Sequence, residues 1–103
     1  MVKKYNKLER DKIPEIIEQN GEKPICRILD DNEYLKELNI KLLEEANEFI
    51  EAGNVEELAD TMEVLEAIAK VYNIDWNDVR KEQKIKREKR GAFENKIYLE
   101  GVK

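Results

Sequence analysis

A chain of 103 residues with 41% hydrophobic and 42% charged residues and a formal net charge of -5 fits one domain of ordinary size. It holds no histidine and one cysteine, which excludes Ser-His-Asp and Cys-His nucleophilic sites, imidazole-bound zinc within one chain, and any intrachain disulfide. No stretch approaches membrane-spanning length, and the N-terminal "MVKKYNKLERDK" lacks the apolar centre of a signal peptide, so a soluble, cytoplasmic protein with no membrane partner is expected.

With 4 glycines, 2 prolines and only short β-branched runs, the chain reads as all-α, a bundle of about four helices in a single domain. In chain order, Asp11 is a cap for a short helix with Pro14 in its first turn, ended by Gly21. "KPICRIL" (23–29) is extended or irregular, and Cys26 within it is read as a packing residue. Asp30 or Asp31 opens a long helix that runs to about Ala52. Gly53 suits the left-handed position after it, and Asn54 caps the next helix at once. That third helix reaches about Tyr72, where Asn73 stops it; Asp75 caps a fourth that continues to Gly91. The tail "AFENKIYLEGVK" has no helical period.

At about 100° per residue, the second helix has a core stripe of Leu35, Leu38, Leu42, Ala46, Phe49 and Ile50. Val55, Leu58, Met62, Leu65, Ile68, Ala69 and Tyr72 form the corresponding stripe on the third, with Val64 and Val71 at its margin. Few helices sharing such narrow stripes make a thin core, so pairing into a homodimer or tetramer is expected.

The acids are distributed unusually. From Leu42 to Glu66 there are nine carboxylates and no lysine or arginine, although helices normally interleave opposite charges four residues apart. Glu45 falls inside the core stripe of its helix and Glu48 on its margin; Glu57 and Asp60 lie at the edge of the apolar arc of the next. In an antiparallel hairpin turning at Gly53, Glu48 would face Glu57 and Glu45 would face Asp60. Four carboxylates converging without a base nearby in sequence suit hard divalent cations such as Mg²⁺, which take oxygen ligands. A plainer reading also stands: Glu57, three residues after Asn54, completes a capping box, and acids suit the start of a helix. It does not account for Glu45 in the stripe of the preceding helix.

The residues that carry this pattern read "EEANE" (44–48) and "ELAD" (57–60). A Glu-Glu-x-x-Glu followed by Glu-x-x-Asp resembles the signature of the MazG-like, all-α nucleoside triphosphate pyrophosphohydrolase superfamily, which includes phosphoribosyl-ATP pyrophosphohydrolase. "YNKLERDKIPEII" (5–17) and "KREKRGAFENKIYLEG" (86–101) resemble one small branch of it, described as house-cleaning pyrophosphatases; "RGAF" stands where that branch has "RGGF", and the gap between the acidic motifs is short. The resemblance implies that Glu45, Glu48, Glu57 and Asp60 coordinate Mg²⁺, with Mn²⁺ able to substitute and Glu44 a secondary acid. It implies hydrolysis of a nucleoside triphosphate between the α and β phosphates, giving monophosphate and pyrophosphate. Glu45 and Glu48 are then the catalytic acids.

Residues 80–96 hold eight basic against three acidic residues. Lys84, Arg87 and Arg90 share one side of the fourth helix, and Arg10 and Lys12 form a second basic pair; both sets are candidates for holding phosphate. The alternative for each is a solvated helix side with charges that suit its C-terminus. Trp76, Phe93 and Tyr98 are candidates for base stacking, against core packing. No nucleic-acid-reading motif accompanies the basic run, so no nucleic-acid partner is expected. Two competing functions are phosphoribosyl-ATP hydrolysis and a non-catalytic helical module that binds nucleotide or protein.

Overall fold

The computed structural model describes residues 2–103, which form four helices and no strand. Helix α1 (Ile13–Gln19) starts with Pro14 in its first turn, where a missing N–H costs nothing. The expected cap does not form: Lys12, not Asp11, occupies the N-cap position, and no side chain accepts a helix N–H there. The helix ends as expected at Gly21, whose φ of 84° lets the N–H of Glu22 reach back to the Ile17 carbonyl at 3.2 Å.

The next two helices follow their caps closely. Helix α2 (Asp31–Ala52) begins where the Asp30 carboxylate accepts the Glu33 N–H at 2.8 Å. It closes at Gly53, left-handed at φ 60°, ψ 38°, whose N–H donates to the Phe49 carbonyl at 2.8 Å. Helix α3 (Val55–Val71) begins immediately after, with the Asn54 side-chain oxygen accepting the Glu57 N–H at 2.9 Å. It ends at Tyr72 and Asn73; the latter takes φ 56° while the Ile74 N–H closes on the Ala69 carbonyl at 2.8 Å. Helix α4 (Trp76–Arg90) is capped by Asp75, which accepts the Asn77 N–H at 2.8 Å.

Packing is concentrated between α2 and α3. The buried side chains are Leu38, Val64, Ala69 and one acid, Glu45; α1 and α4 bury none. On α2 the expected stripe is largely found, since Leu35, Leu42, Ala46 and Phe49 are half-buried around Leu38. Ile50 is the exception and is exposed. On α3 the stripe is rotated: Val64, expected at the margin, is buried, with Thr61, Ala67, Ile68 and Val71 half-buried beside it. Val55, Leu58, Met62, Leu65 and Tyr72, expected in the core, are exposed. The reason is the width of the apolar arc on α3, of which one neighbouring helix covers only a part.

The chain is consequently open. Its radius of gyration is 18.5 Å over extents of 63 × 31 × 24 Å, against about 13 Å for a compact domain of this length. Its accessible surface is 9936 Å², where a compact monomer of this mass exposes about 6,100 Å². The tail after Gly91 has neither helix nor strand, and Phe93 and Tyr98 are exposed, not packed in a core. Cys26 is likewise exposed, contrary to its expected packing role. Among the described residues, no helix is long and apolar enough to cross a membrane.

Candidate metal centre

The acidic cluster is assembled by the two helices that pack. Helix α2 presents Glu45 from its buried side, two turns beyond Leu38 and about one turn beyond Leu42. Helix α3 presents Glu57 from its first turn and Asp60 from its second. One carboxylate oxygen from each of Glu45, Glu57 and Asp60 lies within 4.8 Å of the other two. Glu45 is 7% exposed, while Glu57 and Asp60 are half-buried.

Hydrogen bonding separates the plain reading of Glu57 from the chemical one. The Asn54 side chain does cap the Glu57 N–H, but the reciprocal half of a capping box is missing. Glu57 Oε2 is instead buried without a hydrogen-bond partner, and so is Glu45 Oε2. Two buried carboxylate oxygens without donors are costly unless a cation or proton meets them. The protein responds at Glu45, whose carboxyl is held above the usual range, first by burial and then by repulsion from Glu48, with Lys41 opposing both.

The acids are not all unpaired, as the composition of 42–66 suggested. Lys41, one residue before that window, places Nζ 3.4 Å from Glu45 Oε1. Arg10 reaches across from the N-terminal segment, its Nη2 donating to Asp60 Oδ1 at 2.7 Å. Glu44 is half-buried and lies 3.8 Å from Lys7 Nζ and 4.0 Å from Lys41 Nζ. Lys41 was legible as a residue four before Glu45 on the same helix. The Arg10–Asp60 contact joins positions fifty residues apart and has no local signal.

The remaining candidates fall outside the cluster. Glu48, expected opposite Glu57, is exposed and is not one of the three converging acids. Its i, i+3 spacing from Glu45 leaves it on the solvent margin, close enough to repel Glu45. Lys12 is exposed at the entrance to α1. Lys84, Arg87 and Arg90 are exposed on α4, and among the described residues no ion pair joins them to the acids. Arg87 and Arg90 instead border an open concavity with Lys86 and Phe93.

The donor set is carboxylate oxygen only, which suits a hard divalent cation and not a soft one. Lys41 and Arg10 set two positive charges against the three converging acids Glu45, Glu57 and Asp60, a shortfall of one, and exposed Glu48 adds a further negative charge beside them. The chain stands on these residues alone, since no family model, no curated protein and no solved structure matches it.

Proposed function

We propose that the chain is a magnesium-dependent nucleoside triphosphate pyrophosphohydrolase of the MazG-like kind, acting on free nucleotides, with non-standard ones among its substrates. The observation that carries this reading is the pair of buried, donor-less oxygens, Glu45 Oε2 and Glu57 Oε2, in one cluster with Asp60. Glu45, Glu57 and Asp60 would hold Mg²⁺, and Mn²⁺ in its place. Magnesium, when bound, supplies Lewis acidity toward phosphate oxygens.

The chain's own residues do the rest. Water attacks the α phosphorus, the bond from that phosphorus to the α–β bridging oxygen breaks, and pyrophosphate leaves. Glu48, exposed beside Glu45 and outside the converging three, is placed to accept the water proton on a carboxylate oxygen. Arg10 and Lys12 on one side, and Lys84, Arg87 and Arg90 on the other, supply positive charge for the phosphate chain. The exposed thiol of Cys26 fits a reducing cytoplasm.

In this reading the two packed helices run antiparallel from the Gly53–Asn54 turn, and a second copy covers what one chain leaves open. Ile40, Leu43 and Ile50 on α2 and Leu58, Met62 and Leu65 on α3 are apolar and exposed. The surplus of roughly 3,800 Å² per chain over a compact monomer exceeds the share of roughly 1,000–2,500 Å² that one partner buries in an ordinary obligate interface, so there is ample surface for a second copy to cover. Sedimentation of the wild type should therefore give a homodimer or tetramer. Leu65→Asp should shift it toward monomer, and a monomeric wild type would remove this part of the reading.

The rival of another class, a non-catalytic helical module, draws on the ion pairs that Lys41 and Arg10 already make with the cluster. The two separate on pyrophosphate release from a panel of canonical and modified NTPs and dNTPs, with Mg²⁺ and with EDTA. We expect metal-dependent release by the wild type and a loss of about a hundredfold or more in Glu57→Gln, as for groups that hold a metal in place. Phosphoribosyl-ATP belongs in the same panel and tests that narrower activity. No release from any substrate, with no Mg²⁺ uptake by calorimetry, would leave the acids as a charged surface.

A further inference from the structure

Residues 2–12, before α1, have no regular structure, and among the described residues their ion pairs to the helices land on the acidic end of α2 and α3. Lys7 lies 3.8 Å from Glu44, and Arg10 donates to Asp60 at 2.7 Å. Asp60 therefore has two claims on it. One is the Arg10 guanidinium; the other is the cluster it forms with Glu57 and with Glu45, a side chain 91% buried whose Oε2 has no partner.

These claims differ in strength. The Arg10 and Asp60 side chains are 57% and 36% exposed, so theirs is a surface pair of the weak kind, easily displaced. A divalent cation in the cluster would meet Asp60 together with Glu45 and Glu57, each of which keeps one buried oxygen without a partner. Arg10 would not be lost on release, because its carbonyl accepts the Ile13 N–H at 3.0 Å and anchors its backbone at the entrance to α1. A guanidinium stays charged at every working pH, and its planar fork matches phosphate oxygens in pairs.

We propose that Arg10 is an exchangeable counter-ion: it and a divalent cation compete for the Asp60 carboxylate, and the guanidinium displaced by the cation binds a phosphate of the substrate. This rests on the metal reading above and adds to it a coupling between the two ligands. Because such coupling is reciprocal, polyphosphate that holds Arg10 away from Asp60 tightens cation binding, as the cation tightens polyphosphate binding. Lys12 cannot substitute, since no ion pair joins it to the cluster.

The test is calorimetric titration of Mn²⁺ into the full chain at low salt, for the wild type, Arg10→Gln and Lys12→Gln. Tripolyphosphate is then titrated into each Mn²⁺-saturated protein, with helix content checked by circular dichroism. Competition predicts that Arg10→Gln binds Mn²⁺ about two- to fivefold more tightly, the gain available from removing one exposed ion pair. Lys12→Gln, with the same change of charge, should not show that gain. In the second titration Arg10→Gln should bind tripolyphosphate about tenfold more weakly or worse, as expected for a lost charge-assisted contact.

Unchanged Mn²⁺ affinity in Arg10→Gln, an equal gain in Lys12→Gln, or undiminished tripolyphosphate binding would each overturn the exchange while leaving the metal site standing. A wild type that takes up no Mn²⁺ would overturn the metal site itself, and the exchange with it.

Discussion

Helices α2 and α3 on one side, and α4 with the tail behind it on the other, obey the same local rules and reach different ends. Both regions start on a side-chain cap, Asp30 and Asn54 in the first and Asp75 in the second. Both end at a residue with positive φ or directly before one: Gly53, Asn73 and Gly91. Yet Leu38, Val64 and Ala69 are buried between α2 and α3, while α4 buries nothing and carries Arg87, Lys89 and Arg90 in its last turn. Caps and end charges define where a helix begins and stops; they do not supply a neighbour. An isolated helix of this length is marginal in water, so α4 depends on its cap and on Trp76 and Val79, half-buried near its start.

The largest expected effect comes from breaking the region that is packed. Leu38, 3% exposed, is the most buried side chain of the seam. Leu38→Ala should cost about 2–5 kcal/mol in denaturant unfolding, a large part of the stability of any small domain. Ile85→Ala, the matching truncation on α4, should cost about 0.5 kcal/mol or less, because Ile85 is already 39% exposed. Comparable losses would mean that α4 is packed in the working protein as firmly as α2 and α3. The natural source of that packing would be a second copy.

How much of this was legible in the sequence depends on the range over which each interaction acts. Asp30, Asn54, Gly53 and Asp75 are one-turn devices, and they stand where their residue types predict. Asp11 fails as a cap because the chain enters α1 one residue later, at Lys12, with Pro14 setting the first turn. The burial of Glu45 follows from its place in an apolar stripe. Which part of the wide apolar arc on α3 meets α2 does not follow, because Ile68 lies between Leu58, Met62 and Leu65 on one side and the margin residues Val64 and Val71 on the other, and only the neighbouring helix decides which side is covered. Glu48 lies on the margin of its stripe as its spacing predicts, but whether a margin residue joins the converging acids depends on where the neighbouring helix sits, and Glu48 stays on the solvent side. The contact of Arg10 with Asp60 lies beyond any periodicity argument.

Caps offer a finer form of the comparison. Removing Asn54 or Asp75 by substitution with alanine deletes one hydrogen bond to a helix N–H in each case, worth about 1 kcal/mol. The readouts should differ. Asn54→Ala should lower the global unfolding free energy by about that amount, since α3 cannot loosen without opening the seam. Asp75→Ala should leave the global value nearly unchanged and speed amide exchange within α4 alone, as a locally opening unit does. Equal global losses would show α4 to be part of the same cooperative unit as α2 and α3.

The smallest effect lies at the entrance to α2, where Arg27 meets Glu33 through two hydrogen bonds, at 2.8 and 3.3 Å. The Arg27 hydrogen bond holds the Glu33 carboxyl below its usual range, against a smaller effect of desolvation. A depressed carboxyl contributes stability above the unfolded carboxyl range and loses it as pH falls through the lower folded value. The Arg27 and Glu33 side chains are 68% and 43% exposed, so the contribution is screened and belongs at the low end of what ion pairs give. The direct measurement is the midpoint of the Glu33 side-chain carboxyl signal by NMR titration. It should fall at lower pH in the wild type than in Arg27→Gln, and the difference should shrink as salt is added. A midpoint that ignores the substitution would mean that the contact holds neither charge nor chain. The connecting segment would then be tied to α2 through the Asp30 cap and not through Arg27.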